Sequence, residues 1–369
     1  MKKLLAVVLS VTMMASLLSA CAKSNTAGET AIPSAGESQT EGQTEGQTEG
    51  QKASDSQKAA ADPKVTLSYA EVNSETSLMG MTAQKFKEEV ERLSGGSVEI
   101  QIYAGGVFGA EGDVLDTMTS GGGTVDMTRI ATQSLKDYTG INVTNLLTVP
   151  YIFNGREHFW KTVETDIGDD ILNECHEVGL GIRGLFFAEE GFRNFFFKDK
   201  ITGIEDLKGK KIRSSTDSTM VGTIEGLGAA PATVAFNELY SALSTGVVDG
   251  AEQPIVNYQS NAFNEVAPYM ILDGHTFGAC MVLITDSAWD KLTPAQQEAV
   301  MEAGGIASRY NAGCSQDVED ECKAKLVESG VTFVEVDDLQ PWRDACSKII
   351  GEVTEGLDDY MVRIEELGN

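Results

Sequence analysis

Gly191-Phe192-Arg193-Asn194, Asp206-Leu207-Lys208-Gly209-Lys210-Lys211-Ile212-Arg213, Glu238-Leu239-Tyr240-Ser241-Ala242-Leu243 and Gly246-Val247-Val248-Asp249-Gly250-Ala251-Glu252-Gln253-Pro254 follow one another between Gly191 and Pro254. Two arginines stand among glycines and aromatics in a chain of net charge −28. A guanidinium offers planar, paired donors that fit a carboxylate edge-on. The stretch therefore holds a candidate clamp for an organic anion. In Lys210-Lys211-Ile212-Arg213 the strand alternation turns Lys211 and Arg213 to one face and Ile212 to the other. A solvated basic strand end is the competing reading of Arg213.

Upstream, Val65-Thr66-Leu67-Ser68-Tyr69 alternates as a strand. Met79, Ala83, Phe86, Val90 and Leu93 share one face of a helix, and Ser94-Gly95-Gly96 ends it. Val98, Ile100 and Ile102 alternate again, which gives a β-α-β unit with a right-handed crossover. Helices are expected near 111–119, 155–177, 217–227 and 236–244, and strands near 124–130, 181–187, 211–214 and 247–251. Such alternation means α/β layers. Downstream, Thr293-Pro294-Ala295-Gln296 carries an N-cap, a proline at the first helical position and a capping-box glutamine. The helical pattern from there runs to about Glu328, through Gly304-Gly305.

The first residues read as a targeting signal. Lys2-Lys3 precede an apolar run, Leu4 to Leu18, too short to span a bilayer comfortably. Leu18-Ser19-Ala20-Cys21 then looks like a bacterial lipobox, with residues 1–21 a lipoprotein signal peptide and Cys21 the lipidated residue. An ordinary secretion signal with a chance cysteine is the alternative. Residues 22–63 are a low-complexity linker rich in Gly, Ser, Thr, Glu and Gln, with Thr-Glu-Gly-Gln beginning at Thr40, Thr44 and Thr48. Lys2 and Lys3 add two positive charges and residues 22–63 hold three lysines against seven acids, so the remainder carries −26. Such a surface repels nucleic acid and anionic headgroups, and an anionic ligand must be held by local arginines.

The motif order in Gly191 to Pro254 resembles the solute-binding receptors of TRAP transporters, the DctP-type family of C4-dicarboxylate, sialate and uronate binders. The resemblance begins near Val65 and reaches the C-terminal helices. It implies a two-lobed periplasmic-binding-protein-like α/β fold, with cross-over strands and a long helix bridging both lobes. Lobe I would take 64–190 plus 279–318, and lobe II 191–278 plus 319–369. It also implies the roles of particular residues. Arg213 would form the two-pronged pair with the ligand carboxylate, and Arg193 would lie beside the ligand, or else brace the inter-lobe strand through Glu189 or Glu190. Gln253 stands where relatives often carry asparagine. Phe236 would pack on the ligand or in the core. His275, in the turn Asp273-Gly274-His275, would be either a structural residue or a ligand contact. Glu71 and Asn73, Glu111 and Asp113, and Thr132 and Gln133 would come from three loops of lobe I. Such groups suit the hydroxyls of a sugar acid.

Other motifs lead nowhere. Gly179-x-Gly181-x-x-Gly184 follows a helix and precedes a strand, the reverse of a dinucleotide fingerprint, so it reads as a helix stop and turn. His158 and His176 read as surface residues. Cys175, Cys280, Cys314, Cys322 and Cys346 are odd in number, lack zinc spacing and read mostly as small buried apolar residues. The expectation is a non-enzymatic, cofactor-free and metal-free monomer that captures a small carboxylate by cleft closure. It would be anchored to the bilayer through Cys21 and would deliver its ligand to TRAP membrane subunits. An extracellular sugar-acid enzyme using Glu71 or Glu111 as acid or base, and a ligand-sensing receptor of a two-component system, are the rival readings.

Overall fold

The computed structural model describes residues 62–369. Cys21, the apolar leader and the repeats of the linker lie outside the described residues. The expected β-α-β unit opens the fold: β1 (Val65–Ala70), α1 (Leu78–Leu93) and β2 (Val98–Tyr103), with β1 and β2 parallel from Val65↔Val98 onward. Ser77 caps α1 by accepting from the Gly80 amide, and Met79, Ala83, Phe86 and Val90 are the buried face. Next come α2 (Glu111–Thr119), β3 (Met127–Ala131), α3 (Arg156–Val163) and α4 (Asp166–Glu177). The single helix expected over 155–177 is thus two, because the Thr165 hydroxyl accepts the Ile167 amide and starts a new helix.

β4 (Ile182–Phe197) is followed by β5 (Lys211–Ser214), α5 (Ser218–Gly226), β6 (Ala230–Thr233), α6 (Leu239–Thr245), β7 (Gly250–Pro254) and α7 (Ile255–Ser260). Then come β8 (Tyr269–Thr285), α8 (Asp286–Trp289), α9 (Pro294–Glu328) and β9 (Thr332–Glu335). The chain closes with α10 (Gln340–Ala345), α11 (Ser347–Val353) and α12 (Asp358–Leu367). One mixed sheet runs β2-β1-β3-β8-β4-β7-β5-β6, with β9 on β8.

β4 and β8 explain the two-lobed shape. At 16 and 17 residues each is about three times the usual strand length, and they pair antiparallel along most of it. The second half of β8 pairs with β3, and the end of β4 pairs with β7. Both strands therefore belong to two packed ends at once. The register breaks between Glu189 and Phe192, where Gly191 sits at φ +84. A side chain there would also run into Glu319 and Arg156.

Each end has a core on both faces of the sheet. Leu67, Phe86, Ile100 and Met127 pack with Val300 and Ala303 of α9 on one face, and Phe159, Ile167 and Ile171 lie on the other. At the far end Leu239, Val256 and Phe263 pack with Cys322 and Leu326 of the same α9, opposite Ile212, Ile224 and Trp342. α9, about 52 Å long at 1.5 Å per residue, thus bridges both lobes. Its capping box forms as expected, Thr293 and Gln296 bonding reciprocally. Gly304 lets it approach β4, since a Cβ there would come within 2.8 Å of the Phe186 ring. α10 and α11 follow the far core, whereas α12 returns to the first: Leu357 and Ile364 join the Phe159 cluster.

His158 is not on the surface. It is 5% exposed, its Nε2 lies 2.6 Å from the Ile364 carbonyl, and it ties α3 to α12. His176 is exposed, beside Asp286. The cysteines are unpaired among the described residues, four of them buried and Cys314 half-buried.

Candidate functional site

Where β4 and β8 pass between the lobes, the two packed ends leave a cavity of about 700 Å³. That lies within the range of small-molecule sites, roughly 300–1,000 Å³. One wall is α2, the end of β3 and the turn after it. The other is the ends of β5 and β7, the loop into α5 and the residues after β6.

Arg213 enters this space from the penultimate position of β5. It is 4% exposed, so it is no solvated strand end. Its Nε donates to the Val234 carbonyl at 2.9 Å, which fixes the plane of the guanidinium. Among the described residues its terminal nitrogens find no hydrogen-bond partner, and no carboxylate stands at ion-pair distance. Burial is the main cause that pulls its pKa down, to about 10, with Glu252 opposing and Arg193 adding to the fall. A buried cation without a counter-ion is costly, and an incoming carboxylate removes that cost.

The two other arginines of the cavity wall are compensated. Arg193 on β4 forms a two-pronged pair with Glu252 on β7, at 2.9 Å for its Nη2. Glu252 is held in turn by His275, whose Nε2 stands 3.6 Å away and whose Nδ1 meets Asp273 at 2.8 Å. Burial alone would push Glu252 up, but Arg193 and His275 outweigh it and lower its pKa to about 2. Burial alone would push His275 down, but Asp273 and Glu252 raise it to about 9. Arg129 on β3 touches Glu71 and Glu111, each at 2.7 Å, with Glu190 at 3.9 Å. These three carboxylates overcome desolvation and hold its pKa well above the usual value.

Of the residues expected at the site, Arg213, Arg193, Gln253, Phe236, Asn73 and Glu111 line this cavity, as do Asp113 and Gln133. Phe236 also meets Phe263 edge-on at 6.1 Å, so both of its proposed roles coexist. Glu71, Thr132 and His275 do not line it. Glu71 is 1% exposed and turned onto Arg129 and Asn73. Thr132 donates to the Ala279 carbonyl. His275 sits inside β8, not in a turn after a strand, and stacks on Phe195 at 4.2 Å. Gly274, at φ +54, bends β8 without ending it. Arg193 is braced by Glu252, neither by Glu189 nor by Glu190.

Sequence reasoning passed over Arg129, Asp217, Glu190 as a wall residue, and Asn257. A lone arginine in the apolar run Met127 to Ala131 was the available signal for the first. Asp217 is the N-cap of α5, accepting from the Thr219 and Met220 amides, and it is 4% exposed in the cavity wall. Burial pushes its pKa up to about 7 against those two amides, with Asp137 and Glu252 adding to the rise. Glu190 accepts from Asn257 at 3.0 Å and from Asn73 at 3.3 Å.

Residues 69–356 match the bacterial extracellular solute-binding protein family 7, DctP. The chain belongs to that family. Its members include the solute receptors of TRAP transporters, extracytoplasmic proteins that serve membrane permeases. A solute-binding protein of Roseobacter denitrificans is 32% identical over 305 residues, covering 83% of this chain and 92% of that one. A solved TRAP periplasmic solute-binding protein of the same organism holds L-galactonate. It is 30% identical, with a TM-score of 0.75, 84% of this chain and all of that chain covered. Another, from Pseudomonas putida F1, holds D-glucuronate. It is 26% identical, with a TM-score of 0.78, 82% of this chain and 97% of that chain covered.

Proposed function

We propose that this receptor captures a sugar acid, a hexuronate or an aldonate before a C4-dicarboxylate. The observation that carries the reading is Arg213, a buried guanidinium whose terminal donors are open to the cavity. A charge-assisted hydrogen bond is worth about 1.5–3 kcal/mol, so a two-pronged grip supplies much of the roughly 8 kcal/mol of micromolar affinity. Around it, Asn73, Glu111, Gln133 and Gln253 offer acceptors and amides for hydroxyls. The ligands held by the P. putida and R. denitrificans structures are of this class.

Glu71 and Glu111 both accept from Arg129, which favours capture without turnover over acid-base work by either. In this reading lobe I spans 64–190 plus 279–318 and lobe II spans 191–278 plus 319–369, with residues 358–369 packing back on lobe I. The ligand biases closure through contacts to both. The receptor acts as a monomer, tethered through a lipidated Cys21 with residues 22–63 as spacer.

A thermal-shift screen of the purified protein over uronates, aldonates, sialate and C4-dicarboxylates tests this, because bound ligand raises the melting temperature by mass action. Sugar acids are expected to give the largest shifts, and to be recovered unaltered from the mixture. A shift with dicarboxylates alone, or consumption of the acid, contradicts the reading.

A further inference from the structure

The cavity wall carries one uncompensated cation and a surplus of carboxylates. Arg129 is enclosed by Glu71, Glu111 and Glu190, and Arg193 by Glu252. Among the described residues no lysine lines the cavity. Asp113, Asp116, Asp137 and Asp217 also line it. Their partners are all neutral: the Ala110 amide at 3.0 Å, the Tyr138 hydroxyl at 2.7 Å, the Ser218 hydroxyl at 2.7 Å, and the first amides of α5.

We propose that the cleft admits acids with a single carboxylate and turns away dianions, because Asp113, Asp116, Asp137 and Asp217 line the same cavity as Arg213 with no cation paired to them among the described residues. This rests on the receptor reading above. Once the first carboxylate has taken Arg213, a second one finds no free cation in the wall. It meets instead aspartates whose remaining lone pairs want donors. A hydroxyl supplies such a donor, and an ammonium supplies three with the favourable sign. Asp113, Asp116 and Asp137 are exposed in this structure, so their repulsion of a second carboxylate is strongest where a bound ligand displaces the water around them. Asp217, the most buried of the four, is partly neutral near pH 7, so the three lobe-I aspartates carry most of the effect there.

A probe series of constant carbon skeleton tests this by titration calorimetry on the whole protein. D-gluconate, 6-amino-6-deoxy-D-gluconate and D-glucarate share an open chain and a C1 carboxylate and differ only at C6; D-glucuronate, a ring with its carboxylate at C6, and the galacto series are run beside them. The two monoacids of the open-chain set are expected to bind, ammonium at or above hydroxyl, and each aldarate about 100-fold or more below its aldonate. Raising the ionic strength is expected to narrow that gap in the parent protein, since screening acts on charge and not on shape. The double variant Asp116→Asn with Asp137→Asn is expected to shrink the aldonate-to-aldarate ratio about tenfold or more. An aldarate that binds as well as its aldonate overturns the inference and leaves the receptor reading standing. So does a gap that neither salt nor the double variant moves. Failure of every acid in the series removes both.

Discussion

Arg129 and Arg213 are both buried strand arginines facing one cavity, and they live in opposite surroundings. Arg129 has three carboxylates around it; Arg213 has a backbone carbonyl and open space. The first is part of the wall, its charge consumed in holding β1, α2 and β4 together. The second keeps its terminal donors unpaired among the described residues. In the proposed reading, compensation, not residue type or burial, separates a structural guanidinium from one that takes a ligand.

The contrast is broken most sharply at Glu71. Glu71→Gln takes from buried Arg129 one of its three carboxylates, the one that accepts from both Nε and Nη2, and about 3–5 kcal/mol of unfolding free energy is expected to go with it, read by urea denaturation. A loss below about 1 kcal/mol would mean that Arg129 is no more committed than Arg213.

Next in size is the alkaline limb of the stability curve. The pKa of His275 is raised in the folded state, so its contribution is complete below its ordinary value near 6.5 and is lost as pH rises through about 9. About 2–3 kcal/mol is expected to disappear over that window, and His275→Gln to flatten the curve there. A parent curve flat between pH 7 and 10 would remove the Asp273-His275-Glu252 chain from the account.

A smaller effect is expected at Asp217. Its pKa is also raised, but for a carboxyl this favours folding at low pH and weighs against it as pH rises from about 4 through about 7. Asparagine still caps α5 and cannot ionise. Asp217→Asn is therefore expected to match the parent at pH 4 and exceed it by on the order of 1–2 kcal/mol at pH 8. The smallest effect belongs to the exposed pair Arg363–Asp166, where Arg363→Ala should change stability by about 0.5 kcal/mol or less.

The sequence was readable where a local period or a cap runs unbroken. The periods of Val65 to Ile102 and the capping box at Thr293 led directly to β1-α1-β2 and α9. β4 and β8 were not readable as single strands, because each passes from one core to another and carries polar or flexible residues at the crossing. Glu189-Glu190-Gly191 and Asp273-Gly274-His275 look like breaks in a local pattern and are the interior of long strands. For the same reason the sequence leaves His275 open between a structural turn residue and a ligand contact, whereas it stands behind Glu252 inside β8. The motif order located Arg213 and Arg193, but only three dimensions show that Glu252 satisfies one and leaves the other. Arg129 and Asp217 escaped because a lone strand arginine and a helix N-cap are ordinary features until a cavity opens next to them.

The central claim is that Arg213 is held without a counter-ion for the carboxylate of a sugar acid. Titration calorimetry of Arg213→Ala against D-glucuronate and L-galactonate, beside the parent protein, tests it most directly. The account predicts at least about 100-fold weaker binding, as two charge-assisted bonds are lost. It also predicts a melting temperature equal to or above that of the ligand-free parent, since a buried unpaired charge has been removed. Undiminished affinity in a folded Arg213→Ala protein would contradict it.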